Sequence, residues 1–236
     1  MSILVFTGGD YPEPEKFITY FNESEDVVSF VIAADSGLDT AEIFSKKYGF
    51  EIDAILGDMD SMKNVENRLA LYKNKYIQKF SVEKDYSDTD LALKLAHEKR
   101  KNNEKIILIG GDGGRLDHLF AIKEICGSKI APTIWLCKNQ QIICIKEDDF
   151  SYLNVQFFIQ HNTFSVFPVG NFPKYTISSQ GLFWPVDNLK WSQGEFSLSN
   201  KTSKFSSHIQ LDVKKGAFII ILPTQVSVKL SQVHSL

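Results

Sequence analysis

The sequence predicts an α/β domain with a doubly wound, mostly parallel sheet, followed by an all-β domain in the form of an antiparallel sandwich or barrel. Over residues 1–146, short apolar runs that end at turn residues alternate with longer segments of helical spacing, as in a parallel sheet whose strands are connected by helices. Beyond residue 150 the helical spacing disappears, and short alternating runs separated by glycines predict antiparallel strands. The predicted domains are residues 1–146 and 147–236.

The strands of the first domain are predicted from short apolar runs that are rich in β-branched residues and bounded by turn residues. They are Ile3–Phe6, Val27–Ala33, Ile52–Leu56 and Ile106–Ile109. Helices are predicted where apolar residues recur at helical spacing. They are Leu38–Tyr48, Leu91–Glu98 and Leu116–Ile125. In the second domain the predicted strands are Phe164–Phe167, Tyr175–Ile177, Phe196–Leu198, His208–Val213 and Phe218–Leu222.

The composition excludes several classes of protein. The chain has 26 Lys and Arg residues against 29 Asp and Glu, a net charge of −3, which gives no basic footprint for nucleic acid or an anionic membrane. No apolar run approaches the ~20 residues of a membrane span, and a secretory signal is not expected at the N-terminus. Three cysteines without a Cys-x-x-Cys motif favour buried free thiols and a cytoplasmic protein.

Two carboxylates follow the third predicted strand. Asp58 and Asp60 stand one residue apart in the segment Gly57–Ser61, and alternate residues of an extended segment point the same way. The two side chains can therefore share one hard cation, and oxygen ligands of this kind favour Mg²⁺ together with substrate phosphates. Taken alone, a turn with solvated acids is the simpler interpretation of this segment.

A second acidic segment, Lys84–Asp90, precedes the helix that begins near Leu91. A carboxylate at this turn can complete a metal site, and the lysine can meet phosphate oxygens. An ordinary helix N-cap at Ser87 or Asp88 explains one or two of these residues equally well. It does not explain Lys84 beside three acids, so both interpretations stay open here.

A glycine-rich segment, Gly110–His118, follows the fourth predicted strand. Glycines let the backbone approach a ligand and expose its N–H groups, and the helix that follows has an N-terminus that favours anions. Arg115 at that terminus opposes the helix dipole unless an anion binds there. A glycine-rich turn with a capping acid is the structural alternative, but the pattern favours a phosphate site. The segment lacks the Gly-Lys-Ser/Thr ending of a P-loop.

These three segments belong at the carboxyl ends of strands and hence at one edge of one sheet, where open α/β sheets bind ligands. Clustered acids, a lysine, an arginine and a glycine loop at one edge predict Mg-dependent phosphoryl chemistry on a nucleotide. In such chemistry a metal neutralises phosphate charge, and cationic donors hold the transferring group in line.

The ordered set of motifs resembles the thiamine pyrophosphokinase family. The motifs are Ala34–Gly37, Gly57–Ser61, Lys84–Asp88 and Gly113–His118, with Gly181–Pro185, Gly194 and Ser197–Asn200 in the second half. Each is weak alone, but their order and spacing over most of the chain are specific. The resemblance implies transfer of the pyrophosphoryl group of ATP to the hydroxyethyl oxygen of thiamine, giving thiamine diphosphate and AMP. It also implies a homodimer with thiamine near the subunit interface.

The resemblance implies roles for individual residues, with Mg²⁺ as cofactor and ATP as co-substrate. The metal-binding acids are Asp58, Asp60 and Asp88. The positions near ATP and its phosphates are Asp35, Lys84, Gly113, Gly114 and Arg115. The thiamine-binding positions are Asp117, Trp184, Ser197, Ser199 and Asn200. The expected catalytic residues are Asp117, Arg115 and Asp88.

The expected chemistry assigns Asp117 to the thiamine hydroxyl, either accepting its proton or orienting it. A loose transition state needs little base strength, so orientation alone can suffice. Trp184 offers an aromatic face to the cationic ring system of thiamine, although a core aromatic beside Pro185 is the alternative when the resemblance is set aside.

The chain departs from the family pattern at Ser36, Met59 and Ile122, and the last leaves the contacts of the Arg-x-Asp-His helix open. A nucleotidyl- or glycosyl-transferase that uses the Asp58-Met59-Asp60 motif is the alternative enzyme. A non-catalytic thiamine- or nucleotide-binding protein is a third possibility, which nothing in the sequence supports.

Overall fold

A computed structural model describes seven stretches of the chain. They are residues 1–17, 27–59, 65–81, 85–101, 104–147, 154–159 and 162–231. The chain divides into two compact units. The first comprises Met1–Ile122 and Trp135–Lys138, and the second comprises Lys123–Ile134 and Asn139–Leu236.

The first unit is built on a parallel sheet. Its strands are β1 (Ser2–Phe6), β2 (Val28–Ala34), β3 (Ala54–Gly57), β4 (Tyr76–Lys79), β5 (Lys105–Ile109) and β6 (Ile134–Leu136). They lie in the order β6-β5-β1-β2-β3-β4, and the pairs from β5 to β4 are parallel. The chain runs outward from β1 in one direction and returns to add β5 on its other side. The order therefore reverses between β1 and β5, the switch point at which such sheets bind ligands.

Residues 14–17 are helical, and four longer helices accompany the strands in the described part of the chain. They are α1 (Gly37–Tyr48), α2 (Val65–Leu71), α3 (Asp88–Lys99) and α4 (Leu116–Ile125). The three predicted helices are confirmed within a few residues at each end. Sequence reasoning missed α2 and the edge strand β4, because each is too short to show a period, and β4 is exposed or half-buried along its length.

An aromatic cluster stabilises the packing of α1 on the sheet. Phe44 of α1 is fully buried. Its ring centroid lies 5.4 Å from that of Phe6 and 5.0 Å from that of Phe17, in edge-to-face geometry. Tyr48, one helical turn further on, lies 5.9 Å from Phe44. Helical spacing thus puts the apolar face of α1 against β1.

The second unit consists of two antiparallel sheets. Its strands are β7 (Gln140–Lys146), β8 (Asn154–Phe157), β9 (Phe164–Val169), β10 (Thr176–Gln180), β11 (Ser197–Asn200), β12 (Ile209–Lys215), β13 (Ala217–Pro223) and β14 (Val228–Ser231). One sheet has the order β11-β9-β13-β7 and the other β10-β12-β8-β14. Phe157 of one sheet and Phe164 of the other pack edge to face at 5.0 Å, which confirms the sandwich form of the predicted β domain.

The strand β7 lies in the second unit and pairs antiparallel with β13, although the sequence analysis assigned its residues to the first domain. Residues 148–153, which adjoin the predicted boundary, lie outside the described residues. The limits 1–146 and 147–236 therefore stay a prediction. No helix in the described stretches has the length and apolar character needed to cross a membrane.

We predict that Phe44→Ala destabilises the protein by about 3–5 kcal/mol, because it empties the centre of the aromatic cluster. Urea denaturation measures this as a lower midpoint. Phe205→Ala is the matched control, because that ring is 99% exposed, and its midpoint should stay within the error of the wild type. Equal midpoints for the two variants would contradict the assignment of Phe44 to the core.

Candidate active site

The turns that follow β1, β2, β3 and β5 lie at one edge of the sheet. The parallel register pairs Phe6 with Ile109 on one side and with Ala33 on the other, and it pairs Ala34 with Leu56. The four strands therefore end side by side. This is the arrangement that the sequence analysis expected for its acidic and glycine-rich segments.

Asp35 follows β2 directly and lies beside the end of β3. The amide of Asp35 donates to the carbonyl of Leu56 at 2.8 Å. A Cβ added to Gly57 would lie 3.1 Å from the Cβ of Asp35. Its backbone has a φ of 45°, a left-handed conformation that costs a non-glycine residue about 1–3 kcal/mol and is typical of functional sites. Asp35 is thus held next to the turn that carries Asp58.

The Asp58 turn is only partly described. Asp58 is half-buried, whereas Asp60 lies outside the described residues. Met59, between them, is 4% exposed and has a φ of 64°. The premise that this segment is extended is therefore wrong at Met59, whose backbone lies in the left-handed region. Whether the two carboxylates point the same way stays a prediction.

The second acidic segment contains a helix cap. Ser87 is the N-cap of α3: its Oγ accepts from the amide of Asp90 at 3.2 Å, and Asp90 Oδ2 accepts from the amide of Ser87 at 3.1 Å. Capping explains these two residues and leaves Asp88, the half-buried first residue of α3, for another role. Lys84 lies outside the described residues.

A threonine pair brings α3 to the switch point. The Oγ1 atoms of Thr7, which follows β1, and Thr89, in the first turn of α3, are 2.7 Å apart. Thr7 is only 6% exposed, so this hydrogen bond is largely shielded from water. It places the N-terminus of α3, and with it Asp88, beside the turn that follows β1.

The glycine loop after β5 packs directly on the turn after β1. The amide of Gly111 donates to the carbonyl of Gly8 at 2.7 Å. A Cβ on Gly110 would lie 2.3 Å from the carbonyl oxygen of Thr7, so only glycine allows this approach. The carbonyl of Gly110 accepts from the indole Nε1 of Trp135 at 2.7 Å in the interior, which fixes the base of the loop.

The outer part of the loop is open. Gly113 and Gly114 have φ values of 69° and 65° and are exposed. A Cβ on Gly114 would meet nothing within 4 Å. Successive left-handed residues of this kind shape a backbone that can approach an anion, as the sequence analysis expected.

Arg115 and Asp117 form an ion pair at the start of α4. Arg115 Nη2 lies 2.5 Å from Asp117 Oδ2, and its Nε lies 3.2 Å from Oδ1. The hydrogen bond from Arg115 is the main cause that lowers the pKa of Asp117 to about 2. Asp117 also supplies the counter-charge that Arg115 needs at a helix N-terminus, a pairing that the sequence argument for a bound anion omitted.

Two of the predicted thiamine residues of the second unit, Trp184 and Ser197, contact a third, Asn200, which is fully buried. Asn200 Oδ1 accepts from the amide of Trp184 at 3.3 Å, and its Nδ2 donates to the carbonyl of Trp184 at 2.7 Å and to Ser197 Oγ at 3.0 Å. Ser199 is exposed, with a φ of 56°, and its amide donates to Ser165 Oγ. Asn200 thereby fixes the Trp184 peptide from both sides.

The side chain of Trp184 is 52% exposed, so the alternative that it is a core aromatic is wrong; the buried tryptophan of this region is Trp191, at 4%. The Trp184 ring packs edge to face on Phe183, with centroids 4.6 Å apart. Lys201 Nζ lies 4.3 Å from the Phe183 centroid and 5.3 Å from that of Trp184. The aromatic pair therefore already attracts a cation.

Of the residues that depart from the family pattern, Ser36 and Ile122 have clear packing roles. A Cβ on Gly8 would lie 2.3 Å from Ser36 Oγ, so the serine fills the space beside the turn after β1. Ile122 is 3% exposed, and its Cδ1 would lie 2.5 Å from a Cβ on Gly111. Ile122 thus supports the glycine loop from below.

Sequence reasoning missed several residues of this edge. They are Thr7, Asp10, Thr89, Asp112, Trp135 and Lys138. Gly8 and Gly9 after the first predicted strand were a visible signal of a turn at the switch point. The roles of Thr89 and Trp135 depend on contacts between distant parts of the chain, which no local pattern shows.

The described acids of this edge are ligands of the kind that suit a hard cation. Asp58 and Asp88 offer half-buried carboxylates at the sheet edge, and carboxylate oxygens are the ligands that Mg²⁺ prefers. Within the described ranges no three His, Cys, Asp or Glu side chains converge on one point. Asp60, the third expected acid, is not among those residues, so the metal site stays a prediction.

Comparison with known families and structures decides what this fold is. Residues 21–129 match the model of the thiamin pyrophosphokinase catalytic domain. This stretch is similar to that catalytic domain. The match confirms the resemblance drawn from the sequence motifs and, with it, the prediction of thiamine pyrophosphokinase activity. A comparison with proteins of curated function finds no match.

Solved structures of this family share the fold over nearly the whole chain. Thiamine pyrophosphokinase from Bacillus subtilis is 21% identical with a TM-score of 0.69, and a thiamin pyrophosphokinase family protein from Enterococcus faecalis is 17% identical with a TM-score of 0.67; each comparison covers 94% of this chain and 99% of the other. Yeast thiamin pyrophosphokinase is 14% identical with a TM-score of 0.62, covering 94% and 86%. The predicted combination of an α/β domain and a β-sandwich is therefore confirmed.

We predict that Arg115→Gln raises the pKa of Asp117 from about 2 towards the 3.8 of an unperturbed Asp, because it removes the hydrogen bond that favours the charged carboxylate. An NMR titration of the carboxyl carbon measures this. Lys123→Gln, on the same helix, is the control and should leave the pKa low. A low pKa in Arg115→Gln would assign the effect to the helix amides instead.

Proposed function

We propose that the chain is a magnesium-dependent enzyme that transfers the pyrophosphoryl group of ATP to thiamine. The hydroxyethyl oxygen of thiamine attacks the β-phosphorus of ATP, the bond between that phosphorus and the oxygen bridging to the α-phosphorus breaks, and AMP leaves. The hydroxyl proton is lost to solvent or to a base. The observation that carries the proposal is that the turns and the helix end bearing Asp35, Asp58, Asp88 and the Gly113–Arg115 loop lie at one edge of the sheet, in a chain of which residues 21–129 match the thiamin pyrophosphokinase catalytic domain.

The polyphosphate chain of ATP is assigned to the glycine loop. The open backbone at Gly113 and Gly114 allows close approach, and Arg115 follows directly with an exposed guanidinium. Lys84 is the second cation of the proposal and Asp35 a further contact near the nucleotide. Fixed cationic donors of this kind stabilise the charge of the transferring group.

Magnesium is the proposed cofactor. Asp58 and Asp60 follow strand β3 in the sequence, and Asp88 is the first residue of helix α3, which begins at the same edge of the sheet. The carboxylates of these three residues would hold the ion. The ion would supply charge neutralisation for the phosphates. Without a cation, Asp58 and Asp88 would repel a triphosphate, which supports a metal-dependent reaction.

The structure favours orientation of the thiamine hydroxyl over proton abstraction as the role of Asp117. A carboxyl group whose pKa is about 2 is a poor base at neutral pH. It remains a good hydrogen-bond acceptor for a hydroxyl, and a loose transition state asks for little more. If Arg115 turned from Asp117 to a phosphate, the carboxylate would become a somewhat stronger base.

Thiamine binding in the second unit is assigned to the exposed face of Trp184, with Ser197 and Ser199 beside it. All hydrogen-bonding atoms of the Asn200 side chain are engaged by Trp184, Ser197 and Lys201. Asn200 therefore serves thiamine by holding the tryptophan rather than by direct contact. A face fixed in advance costs less entropy when the ligand binds.

The proposal includes a homodimer with thiamine near the subunit interface, and a cytoplasmic location. Exposed apolar side chains in the second unit, among them Phe183, Phe196 and Leu198, suit a surface that is covered in the assembly. The three cysteines are buried thiols outside any disulfide, as expected in a reducing compartment. No observation favours the alternative of a nucleotidyl- or glycosyl-transferase.

We predict that the protein with Mg-ATP and thiamine forms AMP and thiamine diphosphate, and that Asp58→Asn lowers kcat at least about 100-fold because a metal ligand is lost. Asp39→Asn is the control, since that exposed acid of α1 pairs with Arg68 away from the turns. Chromatography of the nucleotides measures both reactions. ADP in place of AMP would contradict pyrophosphoryl transfer, and an active Asp58→Asn would remove that residue from the metal.

We predict that Trp184→Ala raises the KM for thiamine about fivefold or more and leaves the KM for ATP within about twofold, because stacking on the ring contributes ~1 kcal/mol or more. Steady-state kinetics with each substrate varied in turn measure the split. Phe205→Ala, another exposed aromatic of the second unit, should change neither KM. An unchanged thiamine KM in Trp184→Ala would separate this ring from the substrate.

A further inference from the structure

Asp112 joins three turns at the edge of the sheet where the candidate active site lies. Its Oδ1 accepts from the amide of Gly113 at 2.8 Å, and its Oδ2 accepts from the amide of Lys138, after β6, at 3.2 Å. Its carbonyl accepts from the amide of Asp10, after β1, at 2.6 Å. The turns after β1, β5 and β6 are therefore connected through one residue.

The packing around these bonds leaves little freedom. A Cβ on Gly9 would lie 2.7 Å from the carbonyl oxygen of Asp112, and a Cβ on Gly113 would lie 3.0 Å from Cγ of Asp10. Lys138 Nζ also pairs with Asp10 Oδ2 at 3.0 Å, with both side chains more than half exposed. An exposed pair of this kind contributes little by itself, so the amide bonds to Asp112 are the main connection.

The chemistry of these bonds requires a carboxylate. Two backbone amides, those of Gly113 and Lys138, donate to two different oxygens of one side chain. An ionised Asp can accept with both oxygens, whereas Asn has one acceptor and one donor group. The nearby ammonium of Lys138 offsets the negative charge that Asp112 adds beside a phosphate site.

We propose that Asp112 is a positioning residue for ATP: it sets the direction of the Gly113–Gly114 backbone and thereby the place of Arg115. The inference rests on the proposed function, in which that loop holds the polyphosphate. Gly113 and Gly114 have no side chains to hold them, and Gly114 has open space around it. The contacts of Asp112 supply the order that these glycines lack.

The test compares Asp112→Ala with Asp112→Asn in the AMP-forming reaction. Asp112→Ala should lower kcat/KM for ATP about tenfold or more, through a higher KM for ATP and a lower kcat, because small displacements of a positioning group are costly. The KM for thiamine should stay within about twofold. Asp112→Asn, which keeps one acceptor, should lie between Asp112→Ala and the wild type. Asp39→Ala removes an exposed carboxylate of α1 that pairs with Arg68 away from these turns; it is the control and should stay within about twofold of the wild type.

A readout without substrates accompanies the kinetics. Amide hydrogen exchange at Gly113 and Lys138, followed by NMR, should be faster in Asp112→Ala and unchanged in Asp39→Ala. Wild-type kinetics in Asp112→Ala would overturn the proposal, and so would a loss of kcat with an unchanged KM for ATP and a lowered unfolding midpoint. Absence of AMP formation by the wild-type protein would instead overturn the proposed function, while the exchange rates would still report whether Asp112 orders the loop.

Discussion

The candidate active site depends on one constraint, which is the close approach of the backbone after β1 to the backbone after β5. A Cβ atom at position 110 would collide with the carbonyl of Thr7. The two turns can therefore approach this closely only because residue 110 is glycine. Because of this contact, the turns after β1 and β5 pack directly on each other at the switch point of the sheet. The loop that ends at Arg115, the cap of α3 and the strained residue Asp35 are all placed relative to it.

Electrostatics gives this edge a resting state that differs from the one the reaction needs. Arg115 is paired with Asp117 and Lys138 with Asp10, so these cations are neutralised locally. In the proposed reaction a triphosphate would have to compete for them, and a divalent ion at the acids would shift that competition in its favour. Because the pairs are exposed, their exchange costs little, and the same residues can serve both states.

In the second unit, the large aromatic side chain of Trp184 is exposed to solvent although its peptide group and its ring both have contacts. An exposed tryptophan is normally free to adopt several rotamers and gains little from a ligand that must first order it. Here Asn200 holds the peptide of Trp184 from both sides, and Phe183 packs against the ring. A cation already lies over the pair, which shows the electrostatic preference of this surface.

The sequence by itself determined the class of each domain, the three longer helices and the edge at which the site lies, because the periods of buried faces and the turns after strands are local properties. The order of the motifs also predicted roles for the acids, Arg115 and Trp184. Only the tertiary structure decided that Trp184 is exposed and Trp191 buried, that Met59 breaks the extended path between Asp58 and Asp60, and that Asp117 is paired. It alone showed Asp112 and Thr89 joining separate turns. The physical reason is that burial, ion pairing and hydrogen bonds between distant segments depend on the packing of the whole chain, which no local spacing encodes.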